Sequence, residues 1–315
     1  MNPQKSLTIV SVTGSDDFTL GSMYAIERSF QELRGKIQHL ECLLISPTKP
    51  QNLPNHIQHI RCHPFTYAEY NLFMLFSLRQ FIHTDFALTV QDDGWVLNGA
   101  MWRDDFFDYD YLGAPIPNYF CSIPKSPDSP LDMTGIDYWF AHPAPPDDTF
   151  FEPQNGGFSL RSKRLLDAPT ELNLPASIKT TGSSTTEPIK IQYTHNNTLA
   201  EDLFLSVLHR KALEQHGLRF APSSVALHFS CEYGQVWQRF APQLNPTHIL
   251  GAHFSSRIRL TSTHSVKTFT SYFPDKHSIE TEFSLSRLNT LGYHIHIPKE
   301  LNYTQTDLHF PAKYS

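Results

Sequence analysis

The chain has 315 residues, of which 40% are hydrophobic and 18% charged, with a formal net charge of -6. Such a composition belongs to a globular protein with a substantial core, near the upper size of one domain, and excludes a disordered chain. The acidic balance without a basic stripe argues against an extended nucleic-acid surface, and the 17 His include no HExxH motif of a zinc helix.

The first apolar run, Leu7 to Val12, is too short for a secretory or membrane segment, and no other stretch reaches a membrane-spanning length. It predicts a first strand ending at Thr13-Gly14. Helical spacing over residues 20–34 sets Met23, Ile26, Phe30 and Leu33 on one face. Leu40 to Ile45 reads as a second strand closed by Ser46-Pro47. A second helix is expected over 66–82, with Tyr67, Tyr70, Met74, Leu78 and Phe81 on its apolar side. The third strand, Phe86 to Val90, ends abruptly in Gln91-Asp92-Asp93-Gly94-Trp95. This alternation, spread over ~90 residues, implies right-handed crossovers and a parallel sheet.

Beyond Trp102 the pattern changes. Asp104 to Tyr111 is acidic and aromatic, and its carboxylates are expected at solvent or at a helix cap. Residues 115–148, rich in Pro and aromatics, read as an ordered surface excursion without regular structure. Residues 176–198 form a polar insert, either a mobile loop or a lid on the acceptor side. From residue 258 the chain is polar and motif-free, either a small subdomain or a wrap around the core. Cys42, Cys62, Cys121 and Cys231 lie far apart with no CxxC pair. They read as free thiols in a reducing compartment, so a soluble cytoplasmic protein is expected.

Four segments carry candidate chemistry. Asp92 and Asp93 end a strand, where open α/β sheets hold their ligands, and their oxygens suit a hard divalent cation. Asp-Gly is equally a turn signal, and taken alone the two readings balance. Asn155-Gly156-Gly157-Phe158-Ser159 offers paired glycines that let a ligand approach the backbone, with a helix expected from Ser159 to Leu166. Its alternative is a loop-to-strand junction. Glu201-Asp202 opens an amphipathic helix, and by itself this is better read as stabilisation of a helix start. His253 follows a Gly-Ala step, and a lone His is more often structural. Trp95 is read as a core residue, since large aromatics beside a site usually pack.

Taken together, QDDGWVLN, YDYLGAP, NGGFSLRS, EDLF, HFSCE and GAHF resemble metal-dependent glycosyltransferases of the GT-A fold. More narrowly, they look like an uncharacterised glycosyltransferase-like family. The resemblance covers about residues 5–255. It implies an α/β fold with a mostly parallel central sheet flanked by helices. The domain would span residues 5–257, with 258–315 as a C-terminal extension. It also implies a nucleotide-sugar donor, a glycan or other hydroxyl acceptor, and Mn2+ or Mg2+ as cofactor. Asp93 matches the last acid of the Asp-x-Asp motif and His253 the family's third metal ligand. Gln91 stands where that motif has its first acid, a departure that leaves it to bond a ribose or sugar hydroxyl, and Asp92 holds the variable middle place. Asp202 would be the general base of an inverting transfer and Glu201 would orient the acceptor. Asn155, Gly156 and Gly157 would line the acceptor side. Thr13 and Asn71 are further candidate nucleotide contacts. Two alternatives stand beside this one. A nucleotidyltransferase is disfavoured because Thr13-Gly14-Ser15-Asp16-Asp17 is acidic where a basic loop is expected. An inactive carbohydrate-binding relic is favoured only by Gln91.

Overall fold

Successive side chains of a strand point to opposite faces, so an apolar run without polar alternation needs cover on both sides. Ser6–Val12 (β1) is such a run. Leu7 and Ile9 join Met23, Ile26 and Leu33 of the helix Asp16–Leu33 (α1) in one core cluster. Val10 and Val12 pack on the other face with Met74, Leu78 and Leu166. The structure, a computed structural model, describes residues 5–116, 119–124, 131–136, 150–176, 179–181, 190–192, 200–232, 248–254, 258–260, 267–271 and 291–296.

β1 lies parallel between His39–Ser46 (β2), which also pairs with Ile57–Arg61 (β3), and Phe86–Thr89 (β4). The parallel order read from the sequence therefore holds for this half. β3 was not legible, being short and partly exposed. The helix expected over 66–82 starts at a Thr66–Glu69 capping box as Tyr67–Leu72 (α2). It then loosens into a π turn, Phe73–Ser77, and tightens into a 3-10 turn, Leu78–Gln80. Met74 and Leu78 are buried as expected, but Tyr67 is 60% exposed.

Gly94–Val96 (β5) and Tyr111–Pro115 (β6) follow. Asp104 and Asp108 face solvent, whereas Asp110 is buried and accepts from Ser162 Oγ, Arg164 Nη2 and the Arg219 amide. Asp110 therefore ties three segments together, where a place at solvent or at a helix cap was expected. Regular structure also appears where an irregular excursion was expected: Tyr119–Pro124 (β7) pairs antiparallel with Leu131–Ile136 (β8) and Phe150–Phe151 (β9). Residues 117–118, 125–130 and 137–148 of that excursion lie outside the described residues.

The helix expected from Ser159 is corrected more sharply. Gln154–Ser162 (β10) is a buried strand, antiparallel to both β4 and β6. Phe158 and Leu160 enter the core on alternate positions, the strand period. Only at Ser162, whose Oγ accepts from the Leu165 amide, does the helix Lys163–Glu171 (α3) begin. The six-stranded sheet, in the order β3-β2-β1-β4-β10-β6, is thus mixed, flanked by helices, and not parallel throughout.

Lys179–Thr181 (β11) and Lys190–Gln192 (β12) pair antiparallel within the polar insert, whose residues 177–178, 182–189 and 193–198 lie outside those described. The EDLF segment starts a short helix, Glu201–Leu203 (α4), that widens into a π turn at Phe204–Leu208. Arg210–Gln215 (α5) and Ser223–Phe229 (α6) lead into Ser230–Cys231 (β13). β13 is parallel to Gly251–His253 (β14), and β14 is antiparallel to β5. Beyond residue 257, Ile258–Leu260 (β15), Lys267–Ser271 (β16) and Tyr293–His296 (β17) form a sheet of their own. Tyr293 nevertheless packs in the main core, where Trp95, fully buried, donates Nε1 to its hydroxyl at 2.9 Å. Residues 297–315 lie outside the described residues. Cys42, Cys62 and Cys231 are free thiols, and the Cys121 side chain is not among those described. Among the described residues no helix is long and apolar enough to cross a membrane.

Candidate functional site

The segment after β4 is a tight turn. The Gln91 amide donates to the Gly94 carbonyl at 2.7 Å, and the Gly94 amide returns the bond to the Gln91 carbonyl at 2.9 Å. Turn and ligand site were alternatives in the sequence; in the structure the turn is what aims the carboxylates. β5 then pairs with β14 so that His253 lies opposite Gly94, and the Phe254 amide donates to the Asp93 carbonyl at 2.7 Å.

This register brings His253 Nε2 to 3.5 Å from Asp93 Oδ1 and 3.3 Å from Gln91 Oε1. Gln91 Nε2 donates to the Tyr70 hydroxyl at 2.8 Å, which turns the amide oxygen toward the histidine. The other ring nitrogen, Nδ1, faces Glu232 Oε1 at 3.5 Å. Burial opposes the charged ring, yet the Asp93 and Glu232 carboxylates on its two sides outweigh it and hold the imidazole pKa well above its ordinary value.

Gly157 closes this cluster. A Cβ there would collide with the His253 ring and lie 2.7 Å from Gln91 Oε1. At Gly156, one residue back, a Cβ would collide with the Glu201 carboxylate and lie 2.8 Å from Arg161 Nη2. The paired glycines therefore make room for the protein's own side chains, which corrects the expectation that a ligand fills that space. The β10–β6 register shifts between Gln154 and Ser159, freeing this step from the ladder, a common device beside functional sites. Asn155 is spent locally, its Oδ1 accepting from the Gly157 amide at 2.7 Å.

On the Gly156 side, the Gly156 amide donates to Asp202 Oδ2 at 3.2 Å and the Leu203 amide to Oδ1 at 2.8 Å. Burial, then the neighbouring Glu201 charge, pushes the Asp202 carboxyl up to about 7. Glu201 itself turns inward: its Oε1 accepts from Arg161 Nη2 at 2.7 Å, and both side chains are almost wholly buried. Arg161 also bonds the Gly156 carbonyl and Ser159 Oγ and stacks its guanidinium over Tyr111 at 5.5 Å. Glu201 is thus a supporting residue in this geometry.

A buried pair of this kind is costly to break from one side only, about 3–5 kcal/mol. Arg161→Met is therefore expected to lose stability of about that size in urea unfolding, and adding Glu201→Gln to recover much of it. A loss below about 1 kcal/mol, the scale of exposed pairs, would contradict the pairing.

A cleft of about 270 Å³ opens beside the turn, lined by Thr13, Phe18, Phe65, Tyr67, Asp92 and Asp93 among others. Asp92 enters beneath Gly21 of α1, where a Cβ would collide with the Asp92 side chain. Thr13 and Gln91 also reach the cleft. Asn71 does not: it is buried, bonds the Tyr67 carbonyl, and accepts the Glu201 amide at 2.9 Å. Ala200 supplies no cap to α4, so Asn71 caps that helix from α2 instead of touching a nucleotide.

Sequence reasoning assigned no role to Arg161, Tyr70 or Glu232. Arg161 carried a signal, since a cation inside an otherwise uncharged, partly apolar strand demands a buried partner. Glu232 repeats, after a strand of two residues, the pattern of an acid at a strand end.

A family model described as a protein of unknown function (DUF5672) matches residues 56–253, well over half of the chain. The chain belongs to this family. The matched span starts just before β3 and ends on His253, so it contains the 91–94 turn, the Gly156-Gly157 step, Asp202 and Glu232. No curated protein matches the chain.

Among the described residues no group of three or more His, Cys, Asp or Glu is arranged to hold a metal ion. Asp93 Oδ1, His253 Nε2 and the neutral Gln91 Oε1 do converge, at 3.3–3.5 Å about the imidazole nitrogen. Neighbouring ligands of an octahedral ion with bonds of about 2.1 Å sit ~3 Å apart, so a small closure would let the three share one cation. The remaining positions would go to phosphate oxygens and water, the usual habit of Mg2+. The donor set therefore fits a divalent cation held jointly with a ligand.

Proposed function

We propose that the protein is a metal-dependent glycosyltransferase of the GT-A fold, moving a sugar from a nucleotide-diphosphate donor to a hydroxyl acceptor with inversion. The observation that carries this reading is the Gly156-Gly157 step. On one side of it stand Asp93, Gln91 and His253; on the other stands Asp202. A cation-holding group and a candidate base are thus one residue apart along a single buried strand.

The lining of the cleft supports an anionic ligand only in company with a cation. It contains Asp92 and Asp93 and, among the described residues, no Lys or Arg. A bound Mn2+ or Mg2+ would neutralise charge on the diphosphate and on the departing group. The protein's own residues do the rest. Phe18 and Tyr67 give the cleft mouth exposed aromatic surface for a planar ring. Asp202, held by the Gly156 and Leu203 amides, takes the proton from the attacking hydroxyl, and a carboxyl near 7 is well matched to that task. Arg161 and Glu201 keep the Gly156 carbonyl and the α4 start in register beneath it.

The nucleotidyltransferase alternative gains nothing here, because the loop after β1 contributes Thr13, Gly14 and Ser15 to the cleft and no cation. A panel of nucleotide-sugars tested by thermal shift with and without Mn2+ separates an enzyme from a sugar-binding relic. Stabilisation by one diphosphate donor only when Mn2+ is present is the expected result. Stabilisation by free sugars alone, indifferent to Mn2+, would favour the relic.

A further inference from the structure

Glu232 follows β13, and the pairing of β13 with β14 sets Cys231 beside Ala252, so that Glu232 comes level with His253. Its Oε1 lies 3.5 Å from His253 Nδ1, on the ring side opposite Asp93 and Gln91. The His253 Nδ1 atom is buried and has no hydrogen-bond partner among the described residues, so the carboxylate 3.5 Å away is the acceptor at hand for its N–H. Because Nδ1 and Nε2 point to opposite sides of an imidazole, Glu232 cannot share a cation with Nε2.

We propose that Glu232 is a positioning residue for the cation site: its carboxylate accepts a hydrogen bond from His253 Nδ1–H, which keeps the proton on that nitrogen and leaves the Nε2 lone pair to face Asp93 and Gln91. This inference rests on the metal reading above. The physical reason is general: a ligating imidazole is oriented, and made a better donor, by a carboxylate on its other nitrogen. The strand pairing supplies the geometry. β13 brings the carboxylate, β14 the imidazole and β5 the turn with Asp93, so three strands of one small sheet assemble the relay.

The test is a titration of the full chain with Mn2+, following free Mn2+ by electron paramagnetic resonance, with Mg2+ competition on the same samples. Wild type, Glu232→Ala, Glu232→Gln and Asp93→Ala are compared. Glu232→Ala is expected to weaken Mn2+ binding about tenfold to a hundredfold. The loss should be greater for Mn2+ than for Mg2+, since an imidazole donor favours Mn2+. Glu232→Gln, which keeps an acceptor oxygen and the shape, should recover part of it. Unchanged Mn2+ affinity in Glu232→Ala, with Asp93→Ala unable to bind, would overturn the positioning role and leave the metal reading intact. Equal losses for Mn2+ and Mg2+ without rescue by Gln would overturn it as well, marking a general structural defect. Absence of Mn2+ binding by the wild type would overturn the metal reading and this inference with it.

Discussion

Asp93→Ala is expected to reduce nucleoside-diphosphate affinity in the presence of Mn2+ to its metal-free level, with the fold retained. Asp93 is 3% exposed, and its carboxylate faces His253 at the inner end of a cleft that offers no cationic side chain among the described residues. Removing one partner of a desolvated charge pair costs about 2–5 kcal/mol, or roughly thirtyfold and upward in affinity. Asp92→Ala should be milder, because Asp92 packs under Gly21 of α1 and not against His253. Calorimetry with a nucleoside diphosphate at saturating Mn2+ measures both. A larger loss in Asp92→Ala than in Asp93→Ala would move the cation to the other carboxylate.

Asp202→Asn is expected to slow transfer by roughly a hundredfold or more, with donor binding nearly unchanged. The amide keeps the shape and one acceptor oxygen for the Leu203 amide, but it cannot take a proton. Asp202 also gives the wild type a pH signature. With its carboxyl raised to about 7, the basic form grows in as pH rises through neutrality, so turnover should climb from pH 6 to 8 and this limb should vanish in the variant. The linked stability effect has the opposite sign. A carboxyl that holds its proton more tightly folded than unfolded adds stability that is fully present below its unfolded value of about 4. That contribution is lost as pH rises through about 7. Stability of wild type relative to Asp202→Asn should therefore fall between pH 5 and pH 8. Near-normal turnover in the variant would remove Asp202 as the base. Glu201 would be a poor replacement, since its Oε1 is committed to Arg161.

The parallel half of the sheet was legible because its strands are continuous apolar runs, and the alternation of Leu7, Ile9 against Val10, Val12 sorts them between two helical layers. The grouping of the candidate residues was legible in part: Asp93 follows β4, His253 closes β14, Asp202 opens a helix, and all three lie against the Gly156-Gly157 step. Three features were out of reach for physical reasons. β10 shares with a helix the mixed apolar and polar text of Phe158 to Ser162, and only its pairing with β4 and β6 decides for a strand. Asn71 was read as a nucleotide contact from its place on the helix before β4, and Glu201 as an acceptor contact from the resemblance of the Glu-Asp pair. Which backbone amide or buried cation each one satisfies depends on contacts 130 and 40 positions away in sequence. Glu232 needed the β13–β14 pairing before its distance to His253 had any meaning.

Both π turns, Phe73–Ser77 and Phe204–Leu208, follow helices that carry site residues, and Phe76 meets Phe204 edge-on at 6.3 Å. Such widened turns often occur beside functional sites, where they turn side chains that a regular helix would direct elsewhere. Here they lie after Asn71 and Asp202, the residues that tie α2 to α4 and bind the Gly156 amide.

The most direct measurement is the anomalous scattering of manganese in crystals grown with Mn2+ and a nucleoside diphosphate. The expected result is a single strong peak bonded to Asp93 Oδ1 and His253 Nε2, with Glu232 hydrogen-bonded to His253 Nδ1 and the diphosphate completing the coordination. A diphosphate bound in the cleft without manganese, or a peak remote from His253, would contradict the metal-dependent mechanism.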